Sequence, residues 1–222
     1  MTGTHFAVMA QGGQQRVGHL LGIDGRPAHK QLLETSPGET IFGRMCRLAK
    51  EEDPQAKVWA VVHPTHHFAE ACSKAGAQAM IQDDPGGSVL SGIHFSRSTW
   101  GERTAILLGD VVFSRALIRE MCARPGNTIY ARFGANPVTK KPWPEIFGLT
   151  FDQTGADIVL HELADETFRR HSDTKLWSII EALRGMGFSA YSVTDWTDDV
   201  DSEADLLKWF PILRNCVAGE VT

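Results

Sequence analysis

The sequence predicts an α/β protein whose mixed, mostly parallel sheet is covered by helices on both faces. Short apolar runs rich in β-branched residues alternate with amphipathic runs along the chain, which is the pattern of a parallel sheet with crossover helices. The chain has 222 residues, enough for one α/β domain with a full core. Apolar residues make up 42% of it and charged residues 22%, as in an ordinary globular protein. We therefore expect a single domain over residues 1–222, layered as helix, sheet and helix.

The predicted strands are short apolar or alternating runs bounded by glycine, proline or acidic residues. They are residues 6–10, 57–62, 77–82, 104–108, 127–132, 147–151, 156–161 and 188–193. The runs 147–151 and 156–161 are separated by Asp-Gln-Thr-Gly, which favours a hairpin turn between two strands.

The predicted helices have apolar residues on one face, and several open on a side chain that can cap the first turn. Thr35 and Pro37 favour a helix start within 35–40, Ser114 fits a cap, and Ser202 with Asp205 resembles a capping box. The predicted helices are residues 35–50, 66–75, 88–96, 114–123, 174–186 and 202–213.

Residues 133–146 interrupt this alternation with the sequence F-G-A-N-P-V-T-K-K-P-W-P-E-I. Three prolines and two lysines in so short a stretch predict a mobile or inserted loop over the sheet. Lys140 and Lys141 on this loop, with Arg132 just before it, carry positive charge that could bind an anionic ligand. A pair of lysines on a proline-rich loop is equally compatible with a solvated surface.

Composition excludes several classes of protein. A formal net charge of −5 argues against a general nucleic-acid surface, although a few local cations can still bind a small phosphorylated ligand. No apolar run is long enough to span a membrane, and the first residues lack the basic start of a secretory signal, so we expect a cytoplasmic protein. The four cysteines are widely spaced, which favours free thiols over a disulfide or a zinc site. A homo-oligomer is left open.

The stretch from Phe6 to Gly18, F-A-V-M-A-Q-G-G-Q-Q-R-V-G, predicts a strand followed by an anion-binding loop. Adjacent glycines leave backbone N–H groups unshielded, so that they can converge on a phosphate. Arg16 and Lys30 would add positive charge. A tight turn with no ligand is the other interpretation of the loop, which matches neither the dinucleotide fingerprint nor the P-loop.

Asp110 directly follows a predicted strand, and ligands of open parallel sheets bind beyond the carboxyl ends of the strands. A carboxylate there can hold Mg²⁺, although Asp110 could instead cap the next turn. A second acidic cluster follows the last predicted strand, and Asp201, immediately before a helix, is the member we select as a ligand. Such a run is also typical of a solvated helix start. The aspartates of this cluster are Asp195, Asp198, Asp199 and Asp201.

Several separate motifs, taken in order, resemble those of one family. M-A-Q-G-G-Q-Q-R-V-G at 9–18 is similar to the L-A-A-G-x-G-T-R-M-G signature of nucleotide-sugar pyrophosphorylases and related nucleotidyltransferases of the GT-A type fold. H-K-Q-L-L at 29–33 resembles the P-K-x-L-L that follows it. G-G-S-V-L-S-G-I at 86–93 resembles the family's nucleotide-side turn, and L-L-G-D-V-V-F at 107–113 its L-x-G-D-x-x-F. D-V-D-S-E-A-D-L at 199–206 resembles D-I-D-T-P-E-D-L.

The resemblance implies a Rossmann-like three-layer sandwich and a Mg²⁺-dependent transfer of a nucleoside monophosphate from a nucleoside triphosphate to a phosphorylated sugar or alcohol, with release of pyrophosphate. Arg16 and Lys30 would stabilise the departing pyrophosphate, and Asp110 with Asp201 would hold Mg²⁺. The residues implied on the nucleotide side are Ala10, Gln11, Gly12, Gly13, Gly87 and Ser88. Arg132, Lys140 and Lys141 could then bind the phosphate of the acceptor.

Two alternatives to this function stay open. The first is a GT-A type glycosyltransferase that uses a nucleotide-sugar. Such an enzyme would be expected to have a D-x-D arrangement after the central strand, whereas here Asp110 is followed by Val-Val. The second is a non-catalytic nucleotide-binding homologue. It is motivated by Gln11 and Gln14, which stand where the signature has alanine and its second glycine.

Overall fold

We describe a computed structural model of the protein over residues 3–10, 29–62, 66–83, 88–164 and 176–217. Across these residues, no helix combines the length and the apolar character needed to cross a membrane. Cys46 and Cys72 are buried and Cys122 is half-buried, and all three are free thiols, as expected.

Eleven strands are formed by the described residues. They are β1 His5–Ala10, β2 Glu34–Ser36, β3 Glu39–Thr40, β4 Lys57–Val62, β5 Gln78–Ile81, β6 Arg103–Leu108, β7 Val111–Val112, β8 Thr128–Arg132, β9 Glu145–Asp152, β10 Ser189–Ser192 and β11 Asp198–Asp199. Seven of them form one sheet in the order β10-β8-β9-β6-β1-β4-β5. β9 is antiparallel to both of its neighbours, and the other pairs are parallel. The predicted mixed, mostly parallel sheet is confirmed.

The α-helices of the described residues are α1 Ile41–Glu52, α2 His66–Lys74, α3 Val89–Phe95, α4 Arg115–Ala123, α5 Gln153–Glu162, α6 Trp177–Gly185 and α7 Glu203–Val217. Side-chain oxygens cap several of their first turns, since Ser88 accepts from the Ser91 N–H and Ser114 from the Leu117 N–H. The predicted cap at Ser114 is therefore confirmed.

The core has two halves, one on each face of the sheet, because side chains alternate along every strand. On β1, Phe6 and Val8 point to the face covered by α1, α2 and α4. Ala7 and Met9 point to the face covered by α3, α5 and α6. This alternation produces the three layers that the sequence predicts.

A third, smaller apolar cluster packs the last helix beside the carboxyl end of the sheet. Its centre is Trp209 of α7, which is fully buried and lies 5.4 Å from the Trp196 ring. The cluster joins α7 to the β2–β3 hairpin and to the two-stranded ribbon of β7 and β11; its buried members are Leu33, Ile41, Val112, Val200, Leu206, Trp209 and Leu213.

Two predicted elements differ from the structure. The helix expected to begin within 35–40 begins at Ile41, with Thr40 as its cap, because residues 34–40 form the short β2–β3 hairpin. The predicted strand 156–161 is helix α5. Asp152 accepts from the Gly155 N–H at 3.0 Å, so Asp-Gln-Thr-Gly caps a helix and does not form a hairpin turn.

Residues 133–144 connect β8 to β9 at the carboxyl edge of the sheet. Their buried members are Asn136, Thr139 and Lys141. The Asn136 side chain organises this connection: its Oδ1 accepts from the Val138 and Thr139 N–H groups at 2.6 and 2.9 Å, and its Nδ2 donates to the Thr197 carbonyl at 3.1 Å. The connection is therefore packed against the segment that leads to β11.

Candidate functional site

The candidate site lies at the edge of the sheet where the parallel strands end. β1 ends at Ala10, and β6 ends at Leu108, just before Asp110. Because β9 runs antiparallel to β6, its first residue, Glu145, lies at the same edge. Open parallel sheets bind ligands at this edge.

Backbone contacts hold Asp110 at the end of β6. The Gly109 N–H donates to the Met9 carbonyl at 3.0 Å, and a Cβ on Gly109 would lie 2.8 Å from the same oxygen, so a larger residue would push the strands apart. The Val200 N–H donates to the Asp110 carbonyl at 3.0 Å. The turn of Asp110 is thus tied both to β1 and to the second acidic cluster.

The ribbon of β7 and β11 brings the second acidic cluster beside Asp110. In this antiparallel pair Asp199 lies opposite Val111. Beyond β11, Asp205 Oδ2 accepts from the Asp201 and Ser202 N–H groups at 3.1 Å each, and Ser202 Oγ accepts from the Asp205 N–H at 3.3 Å. This reciprocal pair confirms the predicted capping box and fixes the backbone at Asp201.

Lys30 joins the two aspartates. Its Nζ lies 3.3 Å from Asp110 Oδ2 and 3.4 Å from Asp201 Oδ1, and its side chain is only 9% exposed. Lys30 opens a short 3₁₀ turn, and Leu33 after this turn is buried in the third apolar cluster. Two carboxylates that are far apart in the sequence therefore converge on one ammonium group.

Lys141 enters the site from the β8–β9 connection. Its buried Nζ lies 2.6 Å from Asp199 Oδ1, 3.1 Å from Asp201 Oδ2 and 3.5 Å from Asp205 Oδ2. Burial disfavours its charge, but the attraction of Asp199 and Asp201 outweighs burial and raises the pKa of Lys141. Asp201 thus lies between two ammonium groups, Lys30 on one oxygen and Lys141 on the other.

Three carboxylates of the site crowd together. Oxygens of Glu145, Asp199 and Asp201 all lie within 4.8 Å of one another. Burial raises the pKa of Asp199 to about 8, and the neighbouring Glu145 charge adds to the rise while Lys141 opposes it. Burial also raises the pKa of Glu145, against the attraction of Lys141 and hydrogen bonding by Trp143. Repulsion and burial together make this cluster favourable for an added cation.

The donor chemistry of the site fits Mg²⁺. Every candidate ligand is a carboxylate oxygen, the type of ligand that this hard cation prefers, and two of the carboxylates already converge on the Lys30 ammonium. Asp201 belongs both to this pair and to the crowded cluster with Asp199 and Glu145. The structure thus brings together the two residues predicted as metal ligands, Asp110 and Asp201.

Arg132 is the last residue of β8, where it pairs with Glu145 of β9 at the site edge. It is 3% exposed, and its guanidinium donates to the Asp195 and Thr197 carbonyls at 2.8 and 2.5 Å. It also lies 3.5 Å from the Asp198 carboxylate and packs over the Phe147 ring. Burial lowers the pKa of Arg132, against the attraction of Asp198. These contacts hold the segment before β11 in place, and the role of Arg132 in binding an acceptor phosphate stays a prediction.

The remaining predicted residues divide into two groups. Ala10 ends β1 at the site edge, Ser88 is buried and caps α3, and Lys140 is exposed on the β8–β9 connection with a positive φ of 63°. The other predicted residues lie outside the described part of the chain; they are Gln11, Gly12, Gly13, Arg16 and Gly87.

Sequence analysis assigned no role to Glu145 and did not select Asp199. Glu145 was placed at the end of a loop, and only the antiparallel direction of β9 brings it to the site. Asp199 was one of several aspartates in a short run. The structure separates them, because Asp198 is buried against Thr139 and Arg132 whereas Asp199 faces Lys141.

No protein-family model matches the sequence, and no curated protein matches it. Solved structures do match its fold. The inositol-1-phosphate CTP transferase from T. maritima superposes with a TM-score of 0.71 at 11% identity, covering 98% of each chain. The CTP:phosphocholine cytidylyltransferase from Streptococcus pneumoniae has a TM-score of 0.68 at 10% identity, covering 95% of this chain and 99% of its own. A homolog of Mycobacterium tuberculosis Rv0371c from Mycobacterium sp. strain JC1 has a TM-score of 0.63 at 19% identity, covering 96% of this chain and 97% of its own.

These comparisons establish the fold. The chain shares, along nearly its whole length, the α/β architecture of solved nucleotidyltransferases. The predicted fold is confirmed, and the CTP transferase and the cytidylyltransferase belong to the class of enzymes whose motifs the sequence resembles. At identities this low, the chemistry of the chain itself is argued from its own site.

Proposed function

We propose that the protein is a nucleotidyltransferase, formed as one domain over residues 1–222. In the proposed reaction an oxygen of a phosphorylated sugar or alcohol attacks the α-phosphorus of a nucleoside triphosphate. A new P–O bond forms, the bond from the α-phosphorus to the bridging oxygen breaks, and pyrophosphate leaves with that electron pair.

The convergence of Lys30, Asp110 and Asp201 carries this proposal. Their contacts of 3.3 and 3.4 Å lie at the edge of the sheet where ligands bind, and they join three motifs that resemble one family. A purely structural ion pair would need one carboxylate for one ammonium group. Here several half-buried acidic groups surround two buried lysines, an arrangement typical of a site that receives further charge.

Asp110 and Asp201 would hold Mg²⁺. Mg²⁺ would neutralise the triphosphate oxygens and the charge that develops at the α-phosphorus. Lys30 would then release these carboxylates and neutralise the departing pyrophosphate, together with Arg16. Asp199 is held by Lys141 at 2.6 Å, so we assign it to orienting that lysine.

The two halves of the sheet would bind the two substrates. The nucleotide side would be formed after β1 and β5, by Ala10, Ser88 and the glycine loop that contains Gly12 and Gly13. The acceptor side would be formed by the β8–β9 connection, where Lys141 offers an ammonium group to the acceptor phosphate and Lys140 adds charge at the surface. The central strand β6 separates β1 from β9 and places Asp110 between the two sides.

The test is release of pyrophosphate from each of the four common nucleoside triphosphates, with Mg²⁺ and a panel of phosphorylated sugars and alcohols. We expect one triphosphate and one group of acceptors to give sustained turnover that EDTA abolishes. Lys30→Gln should lose most of this turnover, because the charge of the leaving pyrophosphate would be less well neutralised. A nucleoside diphosphate released from a nucleotide-sugar would indicate a glycosyltransferase instead. Saturable nucleotide binding with no turnover across the panel would indicate a non-catalytic protein.

A further inference from the structure

Lys141 is a buried lysine whose ammonium group is surrounded by oxygen atoms. Its side chain is 7% exposed, and its Nζ lies within 3.5 Å of carboxylate oxygens of Asp199, Asp201 and Asp205. Nζ also donates to the Asp199 carbonyl at 3.1 Å. Several oxygen atoms converging on one positive charge is also the way in which proteins bind a hard metal ion. The lysine therefore occupies a place that is suited to a cation.

Backbone contacts that do not involve Lys141 fix the positions of these carboxylates. Asp199 belongs to β11, which pairs with β7. Asp201 precedes α7, where Asp205 accepts the N–H groups of Asp201 and Ser202 at 3.1 Å each. A variant without the ammonium group would therefore keep these acidic residues on the same backbone and lose the positive charge between them.

The backbone of Lys141 is fixed as well, whereas its side chain can rotate. The Asn136 N–H donates to the Lys141 carbonyl at 3.1 Å, and the Asn136 carbonyl accepts the Lys140 N–H at 3.2 Å, so the turn that carries Lys141 is closed by its own hydrogen bonds. The lysine side chain is a flexible four-carbon stem. Its ammonium group can leave the carboxylates by side-chain rotation, with no change in the β8–β9 connection.

Asp201 is the carboxylate at which a lysine and a metal ion would compete. Its Oδ1 lies 3.4 Å from Lys30 Nζ and its Oδ2 lies 3.1 Å from Lys141 Nζ, so each oxygen already has an ammonium partner. A divalent cation held by Asp110 and Asp201 would share Asp201 with Lys141. Two positive charges on one half-buried carboxylate repel each other, because such a site screens charge less than bulk water does.

From this arrangement we infer that Lys141 is an internal counter-ion, which neutralises the acidic cluster while no metal ion is bound, competes with the metal ion for Asp201 and is released when the metal ion binds. This inference rests on the proposed function for the use of the site, and it adds how the site is regulated. The released ammonium group becomes available to an anionic group of the acceptor. Metal binding and acceptor binding therefore favour each other.

Lys208 provides a matched control beside the same acidic cluster. Its Nζ lies 3.8 Å from Asp205 Oδ1 and donates to the Thr139 carbonyl at 3.1 Å. Its side chain is 45% exposed, so water and salt screen its charge. Lys208→Met removes the same unit of charge as Lys141→Met, but from a solvated position.

The test measures the binding of Mn²⁺ alone to the full chain, by isothermal titration calorimetry and by the electron paramagnetic resonance signal of free Mn²⁺. No nucleotide and no acceptor are present. The variants are Lys141→Met, Lys141→Gln and Lys141→Arg, with Lys208→Met as the control. Thermal melts with and without Mg²⁺ check that each variant is folded.

We expect Lys141→Met and Lys141→Gln to bind Mn²⁺ about tenfold more tightly than the wild type, because the competing charge is gone. Lys141→Arg keeps the charge and should bind Mn²⁺ as weakly as the wild type. Lys208→Met should change the affinity less than about twofold. Without metal, Lys141→Met should melt below the wild type. Mg²⁺ should then raise its melting temperature more than that of the wild type, because the metal ion replaces the missing positive charge.

Unchanged, weaker or absent Mn²⁺ binding in the two neutral variants would overturn the inference, because Lys141 would then not compete with the metal ion. Equal tightening in Lys208→Met would overturn it too, since any nearby positive charge would have the same effect. If Lys141→Met does not fold, Lys141→Gln, which can still donate to Asp199, gives the same comparison. Failure of the proposed function looks different. If the neutral variants bind Mn²⁺ more tightly but no pyrophosphate is released from any triphosphate, the counter-ion stands and the transferase reaction does not.

Discussion

Two charged regions of this protein differ in how their acidic and basic side chains are balanced. The first, the α1–α4 ion network, matches three glutamates with three arginines on α1, α4 and the adjoining strand β3; its members are Glu39, Arg47, Glu51, Glu52, Arg115 and Arg119. The second is the candidate site. Five described carboxylates meet two lysines there; they are Asp110, Glu145, Asp199, Asp201 and Asp205, around Lys30 and Lys141.

The carboxyl pKa values shift in opposite directions in the two regions. In the α1–α4 ion network, the Arg119 hydrogen bond lowers the pKa of Glu52 against the effect of burial. In the site, burial and like charge raise the pKa of Asp199 and Glu145. The network is neutralised by its own partners, whereas the site has acidic groups in excess of its described cations. An unbalanced group of charges costs stability, so its presence favours a role in binding or catalysis.

The largest expected effect is the loss of activity in Asp201→Asn. Asp201 contacts both lysines and is a proposed metal ligand, so we expect turnover to fall by about 100-fold or more, measured as pyrophosphate release. Glu52→Gln, which removes a charge from the α1–α4 ion network, is the control and should leave turnover unchanged. Equal activity in the two variants would show that the charge excess of the site has no part in the reaction.

A smaller effect is expected on stability when one cation is removed from each region. Lys141→Met removes the buried ammonium group from Asp199 and leaves Asp201 with Lys30 alone, and we expect a loss of about 3 kcal/mol in the free energy of unfolding. Arg119→Met removes a side chain that is 63% exposed, so it should cost less than about 1 kcal/mol. Urea unfolding at neutral pH measures both. If Lys141→Met costs no more than Arg119→Met, the site would not depend on Lys141 for its balance of charge.

Much of this arrangement could be predicted from local patterns. Lys30, Asp110 and Asp201 were identified because they stand in motifs, and Asp110 also because it follows an apolar strand. The sheet was predicted because its strands are short apolar runs. Motifs and apolar runs are formed by residues close together in the sequence, so they can be recognised without the structure.

The features that could not be predicted depend on the direction of a strand in the sheet and on tertiary contacts. Glu145 reaches the site only because β9 is antiparallel, and no local pattern at residues 145–152 reports the direction of a strand. Helix α5 was predicted as a strand because Ile158 and Val159 are β-branched, and the cap at Asp152, which marks a helix start, was interpreted as part of a turn. The contacts of Arg132 could not be predicted either, because its partners near Asp198 become neighbours only in the folded chain.

The smallest expected effect, and the sharpest contrast between the regions, is in the pH dependence of stability. Burial and the neighbouring Glu145 charge raise the pKa of Asp199 to about 8 in the folded protein, whereas an aspartate in the unfolded chain has a pKa near 4. Between these values the folded state binds more protons, so the contribution of Asp199 to stability falls as the pH rises. Glu145→Gln removes the neighbouring negative charge, so we expect the fall between about pH 5 and 8 to become shallower.

The α1–α4 ion network should show the opposite sign. The lowered pKa of Glu52 means that its contribution is present above its unfolded pKa, about 4.3, and is lost as the pH falls through its lower folded pKa. Glu52→Gln should therefore differ from wild type mainly above pH 4, by a constant loss, and converge with it in acid. Urea unfolding of the wild type and both variants from pH 3 to pH 9 separates the two regions. The same pH profile for Glu145→Gln and Glu52→Gln would contradict the distinction, because it would mean that the site carboxylates are as well neutralised as those of a surface ion network.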